Sequence, residues 1–514
     1  MKNFFKYFAV ATVLFIASCT ESFLDVNTNP NSLPTATPSY VFTNAENTTA
    51  NIFVGGGTQG VNQMGEFWSG HWTQSSSYIS NPIIFGYQFT NGDFNQWDPL
   101  YNNLEDFQFV IDNADANDQK YLKGPAKVMK AYIYQALVDM YGDVPYSEAL
   151  KGVATLAPKF DNQKAIYENL IVSLNEAIVD LKANAFASAF TSSDIIFKGN
   201  TSKWVKFANS LKLRLLVHQS RIPGREGYIT TELNKISTEG SGFITGEDVG
   251  SGGSGFYVAT AGKINQIYGL WGYDANGGVL ALARYNRPTK YLFDVLIASN
   301  DTFRLKRLAY AKGGENPSTP GKSTAAEIVS NYVGVPFGIS SGYTAQASSY
   351  LGPSLIVKGE FNRPVILMTA AEIQFSLAEM KERFTGINIA GTSQSFYEEG
   401  VRQSFRTLGV ADAAGKAAIL LSSGIENSDW SASTNKLQAI NLQKWIALTN
   451  FSGLEAWTEY RKSNLPNIPQ SSLVTDSKRP VRIFYPNTET GSNSNASSAG
   501  TIDVFTTKIF WDID

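Results

Sequence analysis

Apolar residues in this 514-residue chain recur at helical spacing in segment after segment, and nowhere do they sustain the two-residue alternation of a half-buried strand. In Pro125 to Tyr141, residues Met129, Ile133, Ala136, Leu137 and Met140 fall at i, i+4, i+7, i+8 and i+11, one buried helix face. Pro125 suits a first helical turn, where its missing N–H is not needed, and Gly142 is placed to end the helix. Asp161 or Asn162 can cap a next helix whose stripe is Ile166, Leu170, Leu174, Ala177, Ile178 and Leu181. A further one begins at Thr201 or Ser202, with Trp204, Ala208, Leu211 and Leu215 on one face and Arg214 beside them. Later helices fit 370–383, 395–408 and 439–448, and Trp204 and Trp445 read as core. No strand–helix–strand rhythm is present. The spacing therefore predicts a mainly α protein with long irregular loops and, at most, short strands.

The loops are polar. Residues 240–255 are rich in Gly and Ser, and 311–324 and 487–501 carry no aromatic ring. Such segments bury no core and lie on the surface, yet they are too short to separate independent domains. Cys19 is the only cysteine, so no intramolecular disulfide forms and stability must come from packing. A formal net charge of −3 without a basic run argues against a nucleic-acid partner. With two histidines, His71 and His218, no histidine-rich metal site is expected, and no cofactor motif appears.

The N-terminus reads as an export signal. Lys2 and Lys6 precede the uncharged apolar run Phe8 to Ala17. That run is about half the ~20 residues a membrane-spanning helix needs. It ends in Ile16-Ala17-Ser18-Cys19, small residues before a cysteine whose thiol can accept a diacylglycerol. The expected organisation is a signal peptide over 1–18, a lipidated Cys19 with a tether over 19–38, and a single body over 39–514 whose loop-rich part spans roughly 240–360.

Chemistry is sparse. There is no phosphate-binding loop, and Gly55-Gly56-Gly57 reads as a turn. Gly250 to Gly255 resembles a nucleophile elbow in letters only, without the strand–turn–helix frame. Acids such as Asp98, Asp106, Asp139 and Asp143 form no distinct catalytic pair, so an enzyme, including a surface glycosidase, is not expected. Aromatic rings stand out instead. Trp68, His71, Trp72 and Tyr78 share the segment 66–80 with Ser, Gln and Thr, and Tyr268, Trp271 and Tyr273 sit in 266–274. Rings on loops with polar neighbours are candidate platforms for stacking on a ligand. The other reading is that they plug the loops onto the helical body.

Several motifs, in one order, carry a family resemblance. Cys19 is followed by Phe23-Leu24-Asp25-Val26-Asn27-Thr28-Asn29-Pro30-Asn31. Then come Trp97-Asp98-Pro99-Leu100-Tyr101, Tyr141-Gly142-Asp143-Val144-Pro145-Tyr146-Ser147-Glu148-Ala149, the run from Trp204 to Arg214, and Gln443-Lys444-Trp445-Ile446-Ala447-Leu448. Glu455-Ala456-Trp457 with Tyr460-Arg461 and the terminal Lys508-Ile509-Phe510-Trp511-Asp512 complete the set. The sequence resembles the SusD/RagB-like outer-membrane lipoproteins of Bacteroidetes, in the SusD-like type 2 branch. Departures are small: Asn300-Asp301-Thr302-Phe303-Arg304 replaces a more compact motif, and Phe510 stands where Trp is usual. The resemblance implies a body of tetratricopeptide-like helix pairs with a second, loop-rich irregular subdomain. It implies capture of an oligosaccharide or, in other members, a peptide at the cell surface, and delivery to a SusC-like TonB-dependent transporter. The motifs carry packing rather than ligand contacts, with Arg214, Glu372 and Arg461 expected to fix helices.

Overall fold

Side-chain caps mark the starts of about half of the long helices. A computed structural model describes residues 36–312 and 328–514; the expected signal peptide, Cys19 and the tether up to residue 35 lie outside them. Helix α1 (Pro38–Val54) starts on a proline, and α2 (Val61–Trp68) follows after a turn in which Gly56 adopts φ +80°. Then come α3 (Trp97–Asn113), α4 (Lys123–Tyr141), α5 (Gln163–Ala183) and α6 (Thr201–His218). Gly142, at φ +82°, ends α4 as the sequence suggests. Asn162 caps α5 by accepting from the N–H groups of Lys164 and Ala165. Helix α6 begins at Thr201, as the sequence suggests, and its cap is Asn200, whose side chain accepts from Lys203 N. An Asn side chain in the extended position directly before the first helical N–H groups takes precedence over the hydroxyls behind it.

The second half supplies α7 (Thr302–Leu308), α8 (Ala370–Arg383), α9 (Ser393–Thr407), α10 (Lys436–Leu448) and α11 (Gly453–Ser463). Successive helices pack side by side: α3 on α4, α4 on α5, α5 on α6, and α8 on α9. Helix α1 lies against α3, and α8 lies against both α6 and α10. Strands are short and pair only in twos. The ladder of β1 (Trp72–Gln74) with β3 (Asn286–Pro288) sets Trp72 opposite Pro288 and Gln74 opposite Asn286. The ladder of β2 (Val249–Ser251) with β4 (Val365–Met368) leads into α8. One apolar cluster runs from Phe42 to Trp511 and includes Trp204 and Trp457. No helix among the described residues is long and apolar enough to cross a membrane.

Helices α2 and α11 cross with their backbones touching. A Cβ built on Gly65 would stand 2.1 Å from the carbonyl carbon of Gly453, and one on Gly453 would stand 1.9 Å from Asn62 O. No other residue fits at either point.

The centre of the body is ionic. Arg214 of α6 grips Glu372 of α8 with both arms, Nε to Oε1 at 2.7 Å and Nη2 to Oε2 at 2.8 Å. Its Nε also lies 3.4 Å from Glu455 of α11, which in turn bonds His218 Nε2 at 3.0 Å. Lys444 of α10 reaches Glu459 at 2.7 Å, and Lys462 spans Glu379 at 2.8 Å and Glu459 at 2.7 Å. Arg461 donates to Asp139 O and Val481 O, both at 2.8 Å, while its guanidinium lies 3.6 Å over the Trp457 ring. Every one of these charged side chains is buried. Four cations, counting a protonated His218, face the four carboxylates Glu372, Glu379, Glu455 and Glu459. Removing one partner of such a pair strands the other and costs about 3–5 kcal/mol.

The same charges set a pH window. Burial would raise the Glu455 carboxyl, but His218, Arg214 and Lys444 outweigh it and bring it from 4.5 down to about 2. Burial would lower His218, but Glu455 and Asp139 outweigh it and raise it above 6.5. The depressed Glu455 stabilises fully above its unfolded value, and that contribution is lost as pH falls toward about 2. The raised His218 stabilises fully below its unfolded value, and that contribution is lost as pH rises through its folded value. The urea midpoint is therefore expected to peak between about pH 4.5 and 6.5. His218→Asn should flatten the alkaline side and also weaken the acid side, because His218 is the largest of the charges that hold the Glu455 carboxyl down. A wild-type midpoint that falls on neither side of this range would contradict the assignment.

Candidate ligand-binding site

Most of the aromatic residues singled out from the sequence are roots of loops rather than faces. Trp68 is buried among Tyr87, Phe89, Phe94 and Trp457, and its Nε1 donates to Ile84 O at 3.1 Å. His71 is fully buried; its Nε2 donates to Trp445 O at 2.9 Å and its Nδ1 lies 2.8 Å from Glu66 Oε2. Burial raises the Glu66 carboxyl against the pull of His71. Trp72 is buried, with Nε1 donating to Asn450 Oδ1 at 2.8 Å. Trp72 and Trp271 face each other across a cavity of about 20 Å³, which Gln63, Glu66 and Asn450 also line. Tyr273 is buried against Tyr268. Trp68, His71, Trp72, Trp271 and Tyr273 thus offer no open face, a correction to the expected platform: the bonds above tie the loops to α2, α10 and the chain following it.

Two of the seven reach open space. Tyr268 lines a cleft of about 210 Å³. Tyr78 stands half-buried on the loop after β1, its hydroxyl donating to Ala281 O at 2.8 Å and its ring edge-on to Tyr285 at 5.2 Å. Beside it Ile79 is 96% exposed, an apolar side chain standing free of the body.

Around Tyr78 three loops are stitched into one surface. Ser75 N donates to Tyr285 O at 2.8 Å and Ser76 N to Tyr343 O at 3.0 Å. Tyr343 N returns to Ser76 Oγ at 2.9 Å, and Ala345 N donates to Ser77 Oγ at 3.0 Å. Gln74 Nε2 holds the carbonyls of Tyr78 and Ile79 at 3.2 and 3.1 Å. Below them Arg287 is fully buried and stacks 4.0 Å over Tyr350. This stitched surface carries Tyr78, Ile79 and Tyr343, with the exposed Ser77 among them. Tyr343 was open to the reasoning that found Tyr78, since it is the one ring in the polar run 338–349.

A cation site is also excluded by its surroundings. His218, Glu455 and Glu459 approach closely enough to share an ion. Arg214, Lys444 and Lys462 already neutralise those carboxylates at 3.4, 2.7 and 2.7 Å, so the donor set does not suit a metal.

Residues 30–486 match the SusD-like type 2 family, described as starch-binding and associating with the outer membrane. The chain belongs to this family. No curated protein matches it. Among solved structures, a chitin-binding protein is similar at 24% identity and a TM-score of 0.71, over 93% of this chain and 100% of that one. A chitin-binding SusD homologue from Flavobacterium johnsoniae is similar at 22% identity and a TM-score of 0.71, over 92% and 99% of the two chains. A SusD homologue from Bacteroides fragilis is similar at 21% identity and a TM-score of 0.72, over 93% and 99%. The SusD-like chain shares with them a mainly α fold built on tetratricopeptide-like helix pairs.

Trp72 is a quantitative check on the buried rings. Trp72→Ala in this SusD-like protein is expected to lower the free energy of unfolding in urea by about 3–5 kcal/mol. A loss below about 1 kcal/mol, with ligand affinity changed instead, would return Trp72 to the binding surface.

Proposed function

We propose that this SusD-like chain is a non-enzymatic, lipid-anchored protein of the outer membrane that captures a glycan and delivers it to a SusC-like TonB-dependent transporter. The observation that carries the reading is the family match over residues 30–486, whose description joins starch binding to the outer membrane. The three-loop surface at Tyr78 supports it locally. A sugar ring lays its C–H face on an aromatic ring, and Tyr78 and Tyr343 with Ile79 supply apolar contact of that kind. Polar groups between them, Ser77 among them, bond sugar hydroxyls. Because the three loops are bonded to one another, little ordering entropy is lost when the ligand arrives. Cys19 holds the body to the membrane through acyl chains, and the stretch up to residue 38 spaces it from the lipid.

The test is calorimetry against a panel of oligosaccharides, N-acetylglucosamine oligomers included, and of peptides. Tyr78→Ala is expected to weaken the best glycan by roughly tenfold, about 1.4 kcal/mol, with unfolding unchanged. Unaltered affinity would move the ligand off the three-loop surface, and binding of peptides alone would replace the glycan reading by a peptide one. Cys19→Ala should release the protein from the membrane fraction and abolish labelling by palmitate. Retention of label in that variant would refute the anchor.

A further inference from the structure

The cleft that Tyr268 lines shares no residue with the three-loop surface, and one of its two arginines has no ion-pair partner among the described residues. Arg307 enters it from α7, half-buried, with Nε donating to Leu408 O at 2.7 Å and Nη2 to Pro353 O at 3.4 Å. Among the described residues no carboxylate lies within ion-pair distance of Arg307, and no acceptor is bonded to its Nη1. Gly409, at φ +70°, leaves room for the guanidinium, since a Cβ there would come within 3.0 Å of Nη2. The other charges of the cleft are paired off. Arg363 holds Glu360 and donates to Pro353 O and Ser354 O at 2.9 Å each. Asp248 accepts from Arg406 Nη2 and Ala370 N at 2.9 Å each, and from Thr407 Oγ1. Both carboxylates that line the cleft are thus engaged, Glu360 by Arg363 and Asp248 by Arg406, which reaches it from outside the lining, and among the described residues neither pairs with Arg307. Burial lowers the Arg307 pKa and the charge of Arg363 lowers it further, against the smaller opposing pull of Tyr310 and Glu360.

The walls suit a small organic anion. Ile267, Leu355, Pro364, Ile366 and Phe451 are apolar. Tyr268 accepts from Gly359 N at 3.1 Å, which leaves its own O–H to donate. The volume of about 210 Å³ has room for one sugar ring or one amino-acid residue.

We propose that this cleft is a second ligand site, in which Arg307 and Tyr268 bind the carboxylate of a single acidic unit, a uronic acid or a peptide terminus. A guanidinium presents paired N–H groups to a carboxylate, and such charge-assisted bonds are about twice as strong as neutral ones. A terminal acidic unit seated there would select, among ligands held on the three-loop surface or free in solution, those that carry a carboxylate.

The test is a ligand-observed NMR titration of the full chain with galacturonate, galactose and N-acetylalanine. Galacturonate or N-acetylalanine is expected to bind at least about tenfold more tightly than galactose, and which of the two wins identifies the carrier of the carboxylate. Arg307→Gln should weaken that binding by about tenfold or more, Arg307→Lys by less, and added salt should weaken it in the wild type. Tyr268→Phe, which removes one hydroxyl and no fold contact larger than the Gly359 bond, should weaken it as well and covers the case in which Arg307→Gln fails to fold. Tyr78→Ala, which probes the three-loop surface, should leave carboxylate binding unchanged, so the two sites fail separately. The proposal is overturned if neither carboxylate binds, or if binding survives both Tyr268→Phe and a folded Arg307→Gln.

Discussion

Arg214 and Glu372 stand 158 residues apart in the chain and meet in a two-armed ion pair out of contact with water. Neither half is tolerable alone in that place, because an unpaired buried charge costs more than any single packing contact returns. The pair therefore forms only when α6 and α8 are docked, and Glu455 and His218 extend the requirement to α11. Lys444 and Lys462 bring α10 under the same condition. The early helix pairs and the late ones, separated by the loop-rich middle of the chain, are bound into one body by charge as well as by the apolar cluster around it. Arg461 closes the arrangement at the far end, where Trp511 Nε1 donates to Asp139 at 3.0 Å and ties in the last residues.

The loops depend on this frame in turn. His71 caps the carbonyl of Trp445 on α10, Trp445 Nε1 donates back to Ser69 O at 2.8 Å, and Trp72 bonds Asn450 just past α10. The surface at Tyr78 that we propose binds ligand begins two strand residues after these anchors. Its floor is rigid because the rings below it are spent on packing, and its upper face is free for recognition because they are.

How much of this could be read from the chain follows the range of the interactions. The stripe over Ile166 to Leu181 and the cap at Asn162 are local, and both stand as the spacing indicates. The span 370–383 agrees to the residue because Thr369 caps it and its apolar face is continuous. Helix α1 escaped the periodicity, since Asn44, Asn47, Thr48, Thr49 and Asn51 dilute its stripe and tertiary contacts supply what propensity withholds. Arg214 looked structural beside its stripe, and it is. The aromatic loops were less legible. Whether Trp72 faces solvent or Asn450 is decided by a residue 378 positions away, and nothing in the segment 66–80 encodes that. The unpaired charge of Arg307 was invisible for the same reason, as it depends on where Glu360, Asp248 and two other arginines lie in space.

The crossing of α2 and α11 at Gly65 and Gly453 has a consequence for how such a protein can change. With no side chain between the two backbones, the base from which the Tyr78 loop springs keeps its position whatever the loop beyond it contains. Residues beyond Gln74 can change in sequence while their point of departure stays fixed, provided the bonds of Ser75, Ser76 and Ser77 to the neighbouring loops are kept. On the proposed function, specificity then varies on a socket made of glycine, and the body need not be redesigned with it.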